Sequence, residues 1–108
     1  MSTNDSSSSY LYLTTIGRVS GEPREIEIWF VERNDKFYVL AEHFRNAQWV
    51  RNIERNPRVT IRIGARIFEA TARVLDQEAD RETWTAVQKL STDKYGWGDG
   101  LPVELTAS

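Results

Sequence analysis

The segment Arg58–Leu75, RVTIRIGARIFEATARVL, alternates apolar and polar residues on both sides of a Gly64-Ala65 step. Val59, Ile61 and Ile63 share one face, with Arg58, Thr60 and Arg62 on the other. Beyond the glycine, Phe68, Ala70, Ala72 and Val74 repeat the alternation. A period of two places one face of a pleated strand on a core, so two such runs around a tight glycine step predict an antiparallel hairpin. Upstream, Tyr10–Ile16 sets Leu11, Leu13 and Thr15 on one face, and Arg24–Glu32 sets Ile26, Ile28 and Phe30 against Glu25, Glu27, Trp29 and Val31. Asn34-Asp35 reads as a hairpin turn into a third strand, Lys36–Ala41. Leu101–Leu105 reads as a short closing strand that Pro102 would confine to a sheet edge.

Between the strands the period lengthens. Trp49, Val50 and Ile53 recur at helical spacing after Asn46, a candidate N-cap, and Asn56-Pro57 ends that helix because a residue before proline avoids the α region. Asp76 is the candidate cap of a second helix over Gln77–Leu90, with Trp84, Val87 and Leu90 on one side. The order β-β-β-α-β-β-α-β, with five or six short antiparallel strands, favours a mainly β (α+β) small barrel, since closure removes exposed edges. Residues 1–9 are polar and low in complexity, expected as a disordered tail, and 10–108 as one domain.

Composition narrows the chemistry. The 108 residues include no cysteine and one histidine, His43. Disulfide scaffolds, thiolate metal sites and a multi-histidine centre within one chain are thereby excluded, and no metal site is expected. No apolar run reaches the ~18–20 residues of a membrane-spanning helix, and the N-terminus lacks the pattern of a secretory signal, so a cytoplasmic protein without a membrane segment is expected. The net charge of -2 conceals a segregation: residues 45–73 carry seven arginines against Glu54 and Glu69, with acidic stretches on either side. Those arginines either solvate one face of a sheet or meet an anionic ligand. The acidic overall balance, with a pI near 5.4, argues against a nucleic-acid partner.

Candidate chemistry gathers at three places. In Gly17–Arg24 two glycines allow backbone N–H groups to converge on an anion, with Arg18, Ser20 and Arg24 as side-chain donors. His43 follows the third strand at a helix entry. Tyr95 and Trp97, in a glycine-rich loop, are candidates for covering a flat aromatic ligand, and Tyr95 for lending a proton. Trp49, Trp84 and Phe68 read as core, and Trp29, sharing a face with glutamates, as the lining of a cavity or subunit interface.

Three ordered stretches then resemble one family. Leu13–Arg24, LTTIGRVSGEPR, resembles the LTTxGRxSGxPR signature of the deazaflavin (F420)-dependent nitroreductases, also called F420H2-dependent quinone reductase-like proteins. Trp49–Ile61 is similar to their W-x-x-N-L-x-x-N-P-x-V segment, and Ala70–Val74 to A-x-A-R-V. The resemblance implies a split β-barrel, FMN-binding and pyridoxamine-phosphate-oxidase-like, with coenzyme F420 as cofactor and FMN as the alternative. It maps cofactor phosphate onto Arg18, Ser20, Gly21, Pro23 and Arg24, the ring onto Ala41, Glu42 and His43, and the same cofactor side onto Asn52, Asn56 and Pro57. His43 and Tyr95 are the candidate proton donors. A Glu42 carboxylate beside an anionic ring would call for a cation, and Arg45 is the candidate partner. The implied reaction is hydride transfer to a small electron-poor acceptor (a quinone, nitro compound or activated double bond), and the implied assembly a homodimer covering sheet edges and Trp29.

Overall fold

The computed structural model describes residues 9–108. Its six strands are β1 (Tyr10–Ile16), β2 (Pro23–Arg33), β3 (Lys36–Ala41), β4 (Arg58–Ile63), β5 (Arg66–Val74) and β6 (Leu101–Ala107), with helices α1 (Gln48–Arg55) and α2 (Arg81–Tyr95). The strands close into a barrel in the order β1-β2-β3-β6-β5-β4, every neighbouring pair antiparallel. The disordered tail expected over 1–9 falls, apart from Ser9, outside the described residues.

Closure is uneven, and the unevenness makes the site. β2 pairs with β1 from Pro23 to Trp29, but with β3 only from Phe30 to Arg33. Leu40 and Ala41 of β3 pair with β6 instead. The barrel is therefore split between the first half of β2 and the end of β3. The tight turn that joins the two strands, Asn34-Asp35, holds both residues at positive φ (53° and 65°), the twist a two-residue hairpin demands.

The alternation read from sequence fills the interior. Leu11, Leu13, Ile61, Val39, Val103 and Leu105 are fully buried, and Ile53 of α1 plugs one end. A second apolar layer lies outside the sheet, where Val87 and Trp84 of α2 cover Tyr38, Leu40 and Leu75. Each fully buried aliphatic side chain contributes about 2–3 kcal/mol. Among the described residues no helix is long and apolar enough to cross a membrane.

Four local expectations are corrected. Asn46 does not cap α1; Phe44–Asn46 form a 3-10 turn, closed by Asn46 N–H to His43 O, and the N-cap is Ala47 without a side-chain bond. Asp76 does not open α2; its carboxylate accepts the N–H groups of Glu78 and Ala79 in a preceding turn, and the helix runs from Arg81 to Tyr95. Those N–H groups hold the Asp76 carboxyl below its ordinary range. Pro102 lies on no edge: β6 sits between β3 and β5, with Pro102 opposite Leu40 and its carbonyl accepting from Leu75 N–H. Its missing N–H is tolerated at the strand's start. The arginine-rich middle is largely spent on the acidic flanks and on its own glutamates, through Arg45–Glu54, Arg58–Glu69, Arg62–Glu25 and Arg73–Asp80.

One polar group is buried in the outer layer. Glu104, 8% exposed, accepts the Tyr38 hydroxyl at 2.9 Å and Arg73 Nε at 3.2 Å, with Lys36 Nζ at 3.6 Å. Burial, reinforced by the bond to this carboxylate, pushes the Tyr38 phenol up from 10.0 to about 12. A raised phenol gives stability that is complete below its unfolded value and is lost as pH climbs through the folded one. Tyr38→Phe is expected to cost about 1–2 kcal/mol at neutral pH, by loss of a hydrogen bond to a charged acceptor. It should also flatten the alkaline decline between pH 10.0 and about 12. Urea midpoints across that range check both.

Candidate functional site

The β1–β2 connection folds back on itself around Gly17. Gly17 N–H donates to Glu22 O at 2.7 Å, and Gly21 N–H to Gly17 O at 2.8 Å. A Cβ on Gly17 would lie 2.8 Å from Ser20 Oγ, and Gly21 sits at φ 74°, so both positions call for glycine. The Ser20 hydroxyl accepts from Glu22 N–H (3.2 Å) and from Arg24 (3.5 Å). The N–H groups of Val19 and Ser20 find no acceptor among the described residues.

One side of this loop is fixed by α1. Gln48 and Asn52 lie four residues apart, on one face of the helix. The Arg18 guanidinium donates to Asn52 Oδ1 at 3.0 Å and to Gln48 Oε1 at 2.7 Å, while Arg18 N–H also reaches Asn52 Oδ1, at 3.2 Å. The buried Asn52 amide completes its bonding through Nδ2 to Thr15 Oγ1 at 3.1 Å. Arg18 and Arg24 thus meet only neutral partners among the described residues, so their charge is uncompensated.

Beyond α1's first turn opens a cavity of about 550 Å³ in the split of the barrel. Ala47 and Trp49, which flank the Arg18-bound Gln48, form part of its wall with Ile26 and Ile28, and Glu42, His43, Trp29, Tyr95 and Trp97 line it as well. The rings of Trp29 and Tyr95 stack in parallel, 4.6 Å apart and 6° from coplanar. The Tyr95 hydroxyl accepts Phe30 N–H at 3.2 Å, and its single proton serves the carbonyl of Phe30 or of Ser9. The His43 imidazole makes no hydrogen bond among the described residues.

The sequence-derived candidates therefore fall into groups. Arg18, Ser20, Gly21, Arg24 and Asn52 come together at the loop, with Pro23 opening β2 beside them. Glu42, His43 and Tyr95 come together at the cavity. Ala41 is buried and pairs with Leu101, so it backs the wall without lining it. Asn56 stands apart and accepts Arg58 N–H at the head of β4. Arg45 binds Glu54, so the partner expected for Glu42 is occupied elsewhere. Sequence reasoning missed Gln48, Thr15 and the Trp29–Tyr95 stack. The spacing of Gln48 and Asn52 was a signal for the first, whereas nothing local links residues 29 and 95.

A profile of the F420H(2)-dependent quinone reductase family matches residues 4–105. The chain belongs to that family. Among solved structures, this family member is similar to an F420-H2 dependent reductase, FDR-A, at 25% identity and TM-score 0.68, over 91% of this chain and 93% of that one. It also overlays on HutZ, the heme storage protein from Vibrio cholerae, at 24% identity and TM-score 0.73, covering 93% and 82% of the two chains. A FAD-binding protein from Mesorhizobium loti gives 13% and 0.66, over 96% and 84%. The last two likenesses concern fold alone, and they bear out the split-barrel expectation.

As a member of this family the chain offers a donor set that fits an anion-bearing cofactor: two arginines without carboxylate partners, one hydroxyl and two free N–H groups beside an aromatic cavity. The Asn52 amide is what joins that set to the barrel. Asn52→Ala removes three bonds and strands the fully buried Thr15 hydroxyl, and should cost about 2–3 kcal/mol in urea unfolding. Gln48→Ala, touching only the exposed end of Arg18, should stay within about 0.5 kcal/mol of the unmodified chain.

Proposed function

We propose that this chain is an F420-dependent reductase passing a hydride to a small electron-poor acceptor such as a quinone, a nitro compound or an activated double bond. The observation that carries the reading is the charge of Arg18 and Arg24, without a carboxylate partner among the described residues, beside an aromatic cavity, whereas Arg45, Arg58, Arg62 and Arg73 are each paired with an acid. F420H2, when bound, supplies the hydride. Arg18, Ser20, Arg24 and the N–H groups of Val19 and Ser20 hold the phosphate. Asn52 and Gln48 keep Arg18 extended toward it, so little rotamer entropy remains to be lost on binding.

The apolar wall of Ile26, Ile28 and Trp49 excludes water from the ring, which protects a hydride from competing proton transfer. Of the two candidate proton carriers we favour His43, whose imidazole is unengaged, over Tyr95, whose hydroxyl is bonded into the Phe30 backbone. Tyr95 then acts as a wall, its ring backing Trp29. The protein works in the cytoplasm in this reading, with no need of metal.

Titration of the purified chain with F420 should quench tryptophan fluorescence, and FMN should compete poorly. Tight FMN binding with indifference to F420 would transfer the assignment to a flavin protein. Arg18→Ala and Arg24→Ala should each weaken F420 binding by roughly 10–100-fold, at about 1.5–3 kcal/mol per charge-assisted bond, with urea midpoints near those of the parent.

A homodimer is part of the same proposal. Tyr10 and Trp29, paired across β1 and β2, are 43% and 48% exposed at the cavity rim. A second copy resting on Tyr10 would narrow the mouth and leave the Trp29 face as an inner wall. Light scattering at micromolar concentration should return twice the 12.5 kDa chain mass; a monomer there refutes it.

A further inference from the structure

The cavity does not stay on one side of the sheet. Ile26 and Ile28, which pack against the barrel interior, line it together with Val31 and Leu40, which belong to the outer apolar layer. It therefore passes round the edge of β2 that β3 leaves unpaired, and its outer chamber lies between the sheet and α2. Ser91 and Tyr95 of α2 line that chamber, and Trp97 follows them from the connection to β6.

This connection is fastened more firmly than a simple link requires. α2 ends at Gly96, φ 77°, whose N–H donates to Thr92 O at 2.8 Å. The buried Ser91 hydroxyl donates to the Trp97 carbonyl at 2.6 Å. A Cβ on Gly98 would collide with Gln88 O, so the loop lies flat on the helix. Gln88 Nε2 donates to Gly100 O at 3.0 Å. A Cβ on Gly100 would stand 2.8 Å from Ala41 O and 2.8 Å from the far edge of the Trp97 indole. The ring thus rests its edge on backbone at the end of β3 and has no room to retreat from the chamber.

Resting on the reading of this cavity as the place where an acceptor meets the cofactor, we propose that the chamber under α2 seats the acceptor. Trp97 is its specificity-determining wall, admitting planar acceptors of one or two fused rings and excluding those of three. The whole cavity, about 550 Å³, is the size of a site for one drug-sized ligand, so a cofactor ring and an acceptor share it only if the acceptor is small. A side chain in a dense interior yields little to an oversized neighbour, and one backed by backbone yields least. Forcing a further ring against it lowers affinity as overpacking does, by about tenfold or more. An indole free to swing would set no such limit. The fastening through Ser91, Gly98 and Gly100 is what makes a gauge of a covering residue.

The test compares duroquinone, menadione and hydroxymethyl-anthraquinone, uncharged quinones of one, two and three rings. Each is titrated by calorimetry into the whole chain saturated with oxidised F420, which has no hydride to give, and into the unloaded chain. With F420 present, duroquinone and menadione should bind, and the anthraquinone about tenfold or more weakly than menadione. Trp97→Leu should bring those two within about threefold of each other by strengthening the anthraquinone. Trp97→Phe, which keeps an aromatic contact in the loop, should fall between. A merely structural tryptophan would on removal weaken all three alike. In a proton–nitrogen correlation spectrum of the parent, the indole signal missing from Trp97→Phe should move with menadione, with or without F420. No quinone binding, equal affinities for menadione and the anthraquinone, variants that leave their ratio unchanged, or an unmoved Trp97 signal would each overturn the proposal. F420 binding is measured first. Where it binds and the Trp97 signal stays still, this inference fails alone. Where it does not bind while menadione still moves that signal and the series still responds to Trp97, the functional reading fails alone.

Discussion

A single buried amide ties the two halves of the site together. Asn52 accepts both the backbone and the side chain of Arg18 and donates to Thr15, so one side chain anchors the β1–β2 loop to α1 and to the barrel wall. A buried amide bonded through both its oxygen and its nitrogen in this way is rigid, because any displacement leaves a donor or acceptor unpaired. Gln48, one turn earlier, extends the same grip toward solvent. The position of α1 therefore determines where Arg18 points. The same helix turn supplies Ala47 and Trp49 to the cavity, which makes the separation of loop and cavity a property of the helix and not of two independent flexible segments.

The second constraint is the incomplete pairing of β2. Six antiparallel strands of six to eleven residues could close with continuous ladders, and a continuous ladder between β2 and β3 would leave no room for a ligand. Here β3 keeps β6 from Phe37 to Ala41 but loses β2 after Val39, and the first half of β2 lies beside β1 alone. The gap is not left open to the core. Trp49 from α1 and Trp97 after α2 reach into it, so the split is lined by side chains on rigid elements. The Tyr95 hydroxyl, bonded to the backbone of Phe30 where the β1–β2 ladder gives way to β2–β3, secures the last turn of α2 across it.

Much of this was legible in the residues themselves. Every strand was placed to within two residues, because a barrel wall with one buried face imposes strict alternation, and Leu11, Leu13, Ile61 and Val103 obey it. The two glycines of the β1–β2 turn announced a loop with strained geometry and converging donors. Helix starts were less readable. Asn46 and Asp76 are good capping residues, yet each is used one turn early, in a 3-10 turn and an Asp turn that precede their helices. The role of Pro102 was misread for a different reason: proline reports only its own missing N–H, and which strands lie on either side is a long-range fact. The Trp29–Tyr95 stack, between residues far apart in the chain, belongs to the same class. The resemblance to a family pointed to the loop but not to Gln48, which acts through Arg18.

Charge is what finally gives the barrel a direction. Arg58, Arg62 and Arg73 of the middle segment neutralise Glu69, Glu25 and Asp80, so the net charge of -2 says little about any one surface. Arg18 and Arg24, by contrast, stand at the loop with only neutral partners among the described residues. Exposed charges a Debye length apart, about 8–10 Å at physiological salt, act nearly independently, while those facing a shared, partly dry cleft do not. In the proposed reading, a molecule with an anionic tail and a flat ring binds with its tail at the glycine turn and its ring in the split. The reverse orientation leaves two arginines without a counter-charge. Orientation of this kind needs no contact specific to the ring, so in that reading a barrel with a small interior would position a large cofactor from one end.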